Sequence, residues 1–340
     1  MTNTSHRTDV AVIGAGPAGL FSIFQCGMMK MRCHVIDVLD ATGGQCRALY
    51  PEKPIYDIPG HPKILAGDLV QKLEQQAAPF APVFHLGQQV VKLEPADDAR
   101  WRLETSTGVA INAKAVFIAA GVGAFGPNRP PLEGIEAFEG KSVHYMVKRR
   151  EDFKGKRVVI AGGGDSAVDW ALSLADIAAG VSIIHRRVKF RAAPGSADKL
   201  KELIDKGVIE LVAPYQLAAL EGSNGQIETV VARSLDGDER RLGADALLSF
   251  FGLSQTLGPI AEWGLNLDHN YIKVDPADYS AGKPGLFAIG DIASYPGKLK
   301  LILCGFAEAA VAAHAAYPLV HPDEALHFEY STTGGAPGGK

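Results

Sequence analysis

Cysteine is scarce in this chain, and neither sign of charge is in large excess. Four cysteines occur in 340 residues, and none is spaced as Cys-x-x-Cys or in a zinc-ligand pattern. A disulfide-stabilised scaffold is therefore excluded, and we predict no metal site. The 34 basic and 38 acidic residues leave a net charge of −4, so general attraction to nucleic acid is not expected.

Long apolar runs are also lacking. A membrane-spanning helix needs about 20 consecutive apolar residues, and the best candidate, 301–320, contains Glu308 and His314. We interpret this segment as a core helix. The N-terminal residues MTNTSHRTDV lack the apolar core of a signal peptide. We therefore expect a cytoplasmic protein with no membrane partner. The 47% apolar and 21% charged composition is typical of a globular protein, and the length of 340 residues suggests two domains or three.

The sequence does contain a glycine-rich turn between a short apolar strand and a helix. Residues 8–13 are followed by Gly14-Ala-Gly16-Pro-Ala-Gly19, a helix-compatible stretch and a second strand that ends at Asp37. In dinucleotide-binding folds the first glycine allows the tight turn, the second lets a pyrophosphate approach, and the third permits helix–strand packing. Asp37 follows Gly14 by 23 residues (37 − 14), where a carboxylate can accept hydrogen bonds from a ribose.

The same pattern recurs in the second half of the chain with a different ending. A strand ends at Ala161, and Gly162-Gly-Gly164-Asp-Ser166-Ala opens a helix. The position matching Asp37 is His185, and the cations that follow it are Arg186, Arg187, Lys189 and Arg191. Guanidinium groups pair with a 2′-phosphate, which a carboxylate would repel. The first motif therefore predicts an FAD site and the second an NADPH site, with a solvated charge run as the alternative interpretation of the cations.

A third motif, Gly285-Leu-Phe-Ala-Ile-Gly290-Asp291, completes a pattern that resembles the thioredoxin-reductase family of flavoproteins over nearly the whole chain. The TGGQ run at 42–45 and the HRRVKFRA run at 185–192 also match. The resemblance implies an α/β fold with two Rossmann-like, three-layer nucleotide-binding domains. We expect a discontinuous FAD domain, residues 1–125 and 253–340, with an NADPH domain, residues 126–252, inserted in it.

The chain departs from thioredoxin reductases because their Cys-x-x-Cys pair is absent. The segment upstream of the second glycine motif, 142–150, contains no cysteine, and Cys46 has no second cysteine in 47–60. Dithiol–disulfide exchange needs two neighbouring thiols, so electrons that reach a flavin would have no protein disulfide to continue to. Two interpretations of Cys46 stay open, a lone sulfenic-acid centre and, more simply, a buried thiol.

A subgroup of the family keeps the fold, lacks the cysteine pair and carries a C-terminal extension. These are the thioredoxin-reductase-like ferredoxin–NADP(+) reductases, and this sequence resembles them in Tyr50-Pro51, in GVGAFGP at 121–127 and in the tail FEYSTT at 328–333. The resemblance implies a homodimer, a ferredoxin or flavodoxin partner, and hydride transfer between NADPH and FAD followed by single-electron transfers, with no catalytic side chain. It also implies FAD contacts at Ala18, Asp37, Gln45, Tyr50, Val90, Phe125, Asp291, Tyr330 and Thr332.

Two other functions stay open from the sequence alone. One is a quinone or peroxide reductase that uses Cys46, and the other is a non-catalytic nucleotide-sensing protein that kept the fold. Docking of an acidic carrier on a slightly negative protein requires a local basic patch. The candidate patch residues are Lys148, Arg149, Arg150, Lys154, Lys156, Arg157, Lys298 and Lys300.

Overall fold

The chain forms two compact units in a computed structural model, which describes residues 5–98 and 100–326. Within the described residues, unit 1 comprises 5–98, 100–125 and 255–326, and unit 2 comprises 126–254.

The helices and strands of the described residues alternate along the chain. The helices are α1 (Pro17–Met28), α2 (Gly44–Ala48), α3 (Ala66–Ala77), α4 (Asp165–Leu174), α5 (Pro194–Asp205) and α6 (Ile302–Val320). The strands are β1 (Ser5–Ile13), β2 (Cys33–Ile36), β3 (Pro54–Ile55), β4 (Ile64–Leu65), β5 (Val83–His85), β6 (Val90–Ala96), β7 (Arg100–Thr105), β8 (Ala110–Ile118), β9 (Ala124–Pro127), β10 (Val143–His144), β11 (Arg157–Ala161), β12 (Gly180–Ile184), β13 (Ile209–Val212), β14 (Gln216–Ser223), β15 (Gln226–Arg233), β16 (Glu239–Gly243), β17 (Ala246–Ser249), β18 (Leu253–Thr256), β19 (Leu267–Asp268), β20 (Tyr271–Lys273), β21 (Leu286–Ala288) and β22 (Ala293–Ser294).

Unit 1 is built on a seven-stranded sheet in the order β5-β2-β1-β8-β7-β6, with β21 also paired to β8. Strands β5, β2, β1, β8 and β21 pair in parallel, whereas β6, β7 and β8 pair as an antiparallel meander. Successive side chains of β1 point to opposite faces of the sheet. Both faces are buried, because Val10 and Val12 lie in one core and Ala11 and Ile13 lie in the other. Helices α1, α3 and α6 cover one face, and the meander with the segment 257–293 encloses the other core.

Unit 2 repeats this architecture on a smaller scale. Its five-stranded sheet, β10-β17-β11-β12-β13, is parallel throughout. Helices α4 and α5 pack on one face through residues such as Trp170 and Leu200. The antiparallel sheet β14-β15-β16 packs on the other through residues such as Val230 and Leu242. The prediction of two Rossmann-like, three-layer units is thereby confirmed.

Helix α6 corrects one expectation from the sequence. Its 19 residues are long and apolar enough to cross a bilayer, by length and composition alone, although we expected Glu308 and His314 to prevent this. One such helix is weak evidence for a membrane span. One face of α6 packs on α1, where the ring centroids of Phe306 and Phe21 lie 4.9 Å apart. This packing agrees with the core helix that we expected.

Candidate functional site

A cleft in unit 1 lies at the carboxyl ends of β1 and β2. It encloses about 1200 Å³, its open mouth included. The candidate residues in its walls are Gly14, Gly16, Ala18, Asp37, Gln45, Tyr50, Val90 and Asp291. The structure thus brings together residues that lie up to 277 positions apart (291 − 14) in the chain, and every wall residue belongs to unit 1.

The glycine turn in this cleft has the geometry that a pyrophosphate requires. Gly14 has a φ of +109°, and a Cβ there would lie 2.3 Å from the Ala119 carbonyl oxygen, so a side chain is not tolerated. A Cβ on Gly19 would lie 2.0 Å from the Gly14 oxygen, because α1 packs directly on the turn. A Cβ on Gly16 would meet nothing within 4 Å. The backbone of Gly16 therefore faces open cleft, and α1 begins next to it at Pro17 with its free N–H groups available to an anion.

Asp37 is held in a fixed direction by the backbone. Its two carboxylate oxygens accept hydrogen bonds from the N–H groups of Ala15 at 2.6 Å and Leu39 at 2.8 Å. Burial raises the pKa of the Asp37 carboxyl, and these backbone hydrogen bonds oppose that rise. Each oxygen keeps a further lone pair, so a ribose hydroxyl can still donate to it. The carboxylate is therefore oriented before a ligand enters.

Helix α2 brings Gln45 and Cys46 to the cleft, with Tyr50 just beyond it. The helix is anchored by Arg47, whose guanidinium meets the carboxylate of Glu74 in α3 at 2.8 and 3.0 Å. The Cys46 sulfur lies 4.0 Å from the Tyr50 hydroxyl, and burial raises the pKa of the Cys46 thiol to about 11. The thiol is protonated at neutral pH, so Cys46 lacks the thiolate that a peroxide-reducing centre needs.

No pair of thiols faces the cleft. All four cysteines lie within the described residues, and all are free; Cys46 alone lines the cleft. Cys26 and Cys33 are neighbours, and their hydrogen bond, together with burial, raises the pKa of Cys26. Cys26 follows Pro17 by nine residues (26 − 17), which is about 13 Å along α1. This pair is therefore remote from the glycine turn.

Asp291 reaches the cleft from a turn that Glu308 of α6 holds in place. The Gly290 N–H donates to one Glu308 carboxylate oxygen at 2.6 Å, and the Tyr295 hydroxyl donates to the other at 2.7 Å. Lys298 forms an ion pair with the same carboxylate, and the two side chains are only 7% and 1% exposed. We expected Lys298 in an exposed docking patch, and this is wrong because the buried carboxylate requires a buried cation.

The rest of the expected docking patch is reduced in charge. Its three arginines form ion pairs, Arg149 with Asp152, Arg150 with Asp176 and Arg157 with Asp245. Lys300 lies over the Tyr271 ring, 3.7 Å from its centroid. Lys148, Lys154 and Lys156 form no ion pair with the described residues, so these three and Lys300 remain as candidates.

In unit 2 the second glycine turn packs against the loop that begins at His185. A Cβ on Gly163 would lie 2.1 Å from the His185 ring, and this ring stacks on Phe190 with centroids 5.2 Å apart. The Arg191 N–H donates to the Gly163 carbonyl at 2.7 Å, and Gly164 forms a bridge with Arg191. Ser166 is exposed in the first turn of α4. The predicted NADPH residues thus lie around one turn.

Three arginines of this loop, Arg186, Arg187 and Arg191, are exposed and form no ion pair within the described part of the chain. The other arginines of unit 2 each pair with a carboxylate: Arg129, Arg149, Arg150, Arg157, Arg233, Arg240 and Arg241. Burial lowers the pKa of His185, and the charges of the three loop arginines lower it further. Guanidinium groups without a carboxylate partner, placed beside a glycine turn, can bind a phosphate. This arrangement favours a phosphate-binding site over the alternative interpretation of the cations as a solvated charge run.

Three candidates fall outside these observations. Tyr330 and Thr332 lie outside the described residues, and for Phe125 the structure describes the backbone of β9 alone.

One wall of the unit 1 cleft was missed by sequence reasoning. Its residues are Leu257, Pro259, Ile260 and Trp263, and Gln88 and Gln89 also line the cleft. Apolar residues at positions 257, 260 and 263 recur every third residue, which is a signal for a short 3-10 turn with one buried face. Nothing in that local pattern connects the segment with Asp37, which lies 220 residues earlier (257 − 37).

Comparison with known proteins agrees with this geometry. The family model for pyridine nucleotide-disulphide oxidoreductases matches residues 8–316. The ferredoxin–NADP reductase of Paramagnetospirillum magneticum is 62% identical over 334 residues, covering 98% of this chain and 99% of that protein. That of Rhodospirillum rubrum is 62% identical over 339 residues, covering 99% and 98%. The structure of Lactococcus lactis thioredoxin reductase in its FR conformation shares the fold, with a TM-score of 0.78 at 23% identity over 93% of this chain and 99% of that one. The chain therefore belongs to the pyridine nucleotide-disulphide oxidoreductase family.

Proposed function

We propose that this protein is an FAD-dependent ferredoxin–NADP reductase, which takes a hydride from NADPH and passes the electrons singly to a ferredoxin or flavodoxin. One observation carries the proposal: the chain has two glycine turns of dinucleotide-binding type and no pair of thiols at the cleft. Relatives with 62% identity over almost their full length are named ferredoxin–NADP reductase, which supports the partner class.

The residues of the unit 1 cleft fit FAD. The open side of Gly16 and the start of α1 leave space and N–H donors for a pyrophosphate. Asp37 offers oriented acceptors to a ribose, and Asp291 lines the same cleft. When bound, FAD supplies a group that accepts a hydride and releases electrons one at a time. The chain then has to bind and align the reactants, and we assign no nucleophile or proton donor to it.

The unit 2 turn and its arginines fit NADPH. Arg186 and Arg187 form no ion pair with a carboxylate in the described residues. Both guanidinium groups can therefore form charge-assisted hydrogen bonds with a 2′-phosphate. The adenosine of NADH carries a hydroxyl at that position and gains less from them. We therefore expect a preference for NADPH that depends on these two side chains.

Arg186→Ala and Arg187→Ala test this assignment. Loss of a charge-assisted phosphate contact costs about 1.5–3 kcal/mol, so kcat/KM for NADPH should fall roughly 10- to 150-fold in each variant. The value for NADH should change by less than about threefold, because NADH lacks the phosphate. Steady-state rates with both coenzymes and a ferredoxin acceptor measure the ratio.

Arg240→Ala is the matched control for these variants. Arg240 is an exposed arginine of the same unit, but its guanidinium pairs with Glu210 at 2.6 Å. Its removal should leave the coenzyme ratio unchanged. Equal losses with NADPH and NADH in the Arg186 and Arg187 variants would contradict the assignment.

We also propose a homodimer located in the cytoplasm. Leu303, Val311 and Leu319 of α6 are 40%, 39% and 41% exposed, and this apolar surface supports association with a second copy. Four free cysteines support a reducing compartment.

A further inference from the structure

One side chain of α4 joins the second glycine turn to the end of the loop that carries the unpaired arginines. Asp165 is the first residue of α4 and directly follows Gly164. Its Oδ1 atom accepts a hydrogen bond from the Ala193 N–H at 2.9 Å, and Ala193 is the residue from which α5 begins. The Asp165 carboxylate therefore connects the N-terminal ends of α4 and α5.

The loop between β12 and α5, residues 185–193, is held at its two ends. At its start the His185 N–H donates to the Val212 carbonyl at 3.1 Å, and the His185 ring forms a hydrogen bond with the Lys189 backbone. Within the described chain, residues 186–190 form no hydrogen bond between backbone groups. The positions of the first two loop arginines therefore depend on how the ends are fastened.

The far end of the loop is fastened to the glycine turn by backbone contacts and by one side chain. The Arg191 N–H donates to the Gly163 carbonyl at 2.7 Å, and Gly164 forms a bridge with Arg191. Two residues later the Ala193 N–H meets the Asp165 carboxylate. A substitution at Asp165 can therefore release this end while the glycines and the arginines stay as they are.

We propose that Asp165 is a positioning residue for coenzyme selection, because its hydrogen bond with Ala193 holds the arginine loop against the second glycine turn. The inference rests on the proposed function, in which Arg186 and Arg187 select NADPH through its 2′-phosphate. Asp165 acts through the loop and not on the coenzyme. Its loss therefore weakens a ligand that carries the 2′-phosphate and has little effect on a ligand that lacks it.

Binding of the oxidised coenzymes NADP(+) and NAD(+) to the full-length holoenzyme tests the proposal without turnover. In Asp165→Ala the Kd for NADP(+) should rise roughly 3- to 10-fold, which is the effect of losing one hydrogen bond. The Kd for NAD(+) should stay within about twofold of wild type. Isothermal titration calorimetry measures both constants. An unchanged Kd for NADP(+), or equal rises for the two coenzymes, would overturn the proposal.

Asp165→Asn distinguishes the hydrogen bond from the charge. Asparagine keeps a carbonyl oxygen that can accept from the Ala193 N–H, and it removes a negative charge beside a site for anions. The Kd for NADP(+) should therefore not rise in this variant. A rise as large as that in Asp165→Ala would show that the hydrogen bond is not the cause and would contradict the inference.

Asp245→Ala is the matched control. The Asp245 carboxylate also accepts a hydrogen bond from a backbone N–H, that of Arg157, at 2.8 Å. Arg157 begins β11, whereas the glycine turn follows the other end of that strand. The control should lower the Tm and leave the ratio of the two Kd values unchanged. The same change of the ratio in Asp245→Ala as in Asp165→Ala would count against the proposal, because general loosening of unit 2 would then explain both.

Hydrogen exchange reports on the loop itself. The amides of residues 186–193 should exchange faster in Asp165→Ala than in wild type or Asp165→Asn, because the end of the loop is released. Mass spectrometry of peptides from this segment follows the exchange. Identical exchange in wild type and Asp165→Ala would overturn the inference.

A triple variant separates this inference from the proposed function. When Arg186 and Arg187 are both alanine, adding Asp165→Ala should change the ratio of the two Kd values by less than about twofold, because the side chains that it positions are gone. A further fall as large as in the single variant would overturn the inference. An unchanged coenzyme preference without the two arginines would overturn the proposed assignment and this inference with it. A preference that is lost without the arginines but kept in Asp165→Ala would overturn this inference alone.

Discussion

Burial acts differently on Asp37 and Cys46, although both line the cleft. Two backbone N–H groups donate to the Asp37 carboxylate and offset part of its desolvation. The Cys46 sulfur lies 4.0 Å from the Tyr50 hydroxyl, and burial raises the pKa of the thiol to about 11. Asp37 is therefore oriented to accept hydrogen bonds, whereas Cys46 is a buried thiol whose pKa lies well above neutral pH.

Cys46→Ser should leave ferredoxin-dependent reduction of cytochrome c within about twofold of wild type, because the thiol is not ionised at neutral pH. For the same reason, iodoacetamide should alkylate Cys46 slowly at pH 7 and faster as the pH approaches 11. Mass spectrometry of the alkylated protein follows the second effect. Loss of activity in Cys46→Ser, or rapid alkylation at pH 7, would favour the alternative of a peroxide or quinone reductase.

Single residues differ in how far the sequence alone could place them. Gly14, Gly16 and Asp37 were predictable, because the order strand, turn, helix, strand is local in the chain and fixes their geometry. Lys298 was misplaced, because its surroundings depend on Glu308, which faces inward only once α6 is packed. Trp263 was missed, because its contact with the cleft is set by tertiary packing and not by its local pattern.

Helix α6 and the Gly290–Asp291 turn act as one element through Glu308. The Glu308 carboxylate satisfies the Gly290 N–H and the Tyr295 hydroxyl, and its charge is balanced by Lys298. Leu301 and Ile302, at the start of the helix, line the cleft. The ion pair therefore connects the position of the helix with the position of Asp291.

Glu308→Ala should destabilise the protein by about 3–5 kcal/mol, because it leaves Lys298 buried without a counter-charge. The double variant Glu308→Leu with Lys298→Met should lose less, because two apolar side chains can replace a buried ion pair. Urea unfolding followed by circular dichroism compares the two variants. Equal destabilisation of both would show that the charges do not matter. FAD release during unfolding reports whether the Asp291 turn loosens first.

The bounds of elements were less predictable than their order. The helix after the second glycine motif ends at Leu174. Helix α6 runs from Ile302 to Val320, so it begins one residue after the start of the apolar segment 301–320. Strand β1 continues back to Ser5, because β8 pairs with the polar residues before Thr8. Pairing and packing set these ends, whereas the central apolar pattern sets the type of element.

The whole molecule repeats one architecture in two units, and the repetition was visible in the sequence as two glycine motifs with the same spacing to the next strand end. The units differ where their ligands should differ. The first strand-end residue is an acceptor, Asp37, and the second is His185 with uncompensated arginines behind it. Function at this scale also depends on an absence, since the pair Cys26 and Cys33 lies away from the cleft and Cys46 has no thiol partner there.

The count of electrons that the full-length holoenzyme accepts per flavin tests this account most directly. Anaerobic titration with dithionite, followed by the flavin absorbance and by thiol labelling after each addition, gives the count. We expect two electrons per flavin, with no new thiol, in both wild type and Cys46→Ser, because the flavin is the sole acceptor. Uptake of four electrons, with two thiols appearing during the titration, would reveal a redox-active disulfide and contradict the account.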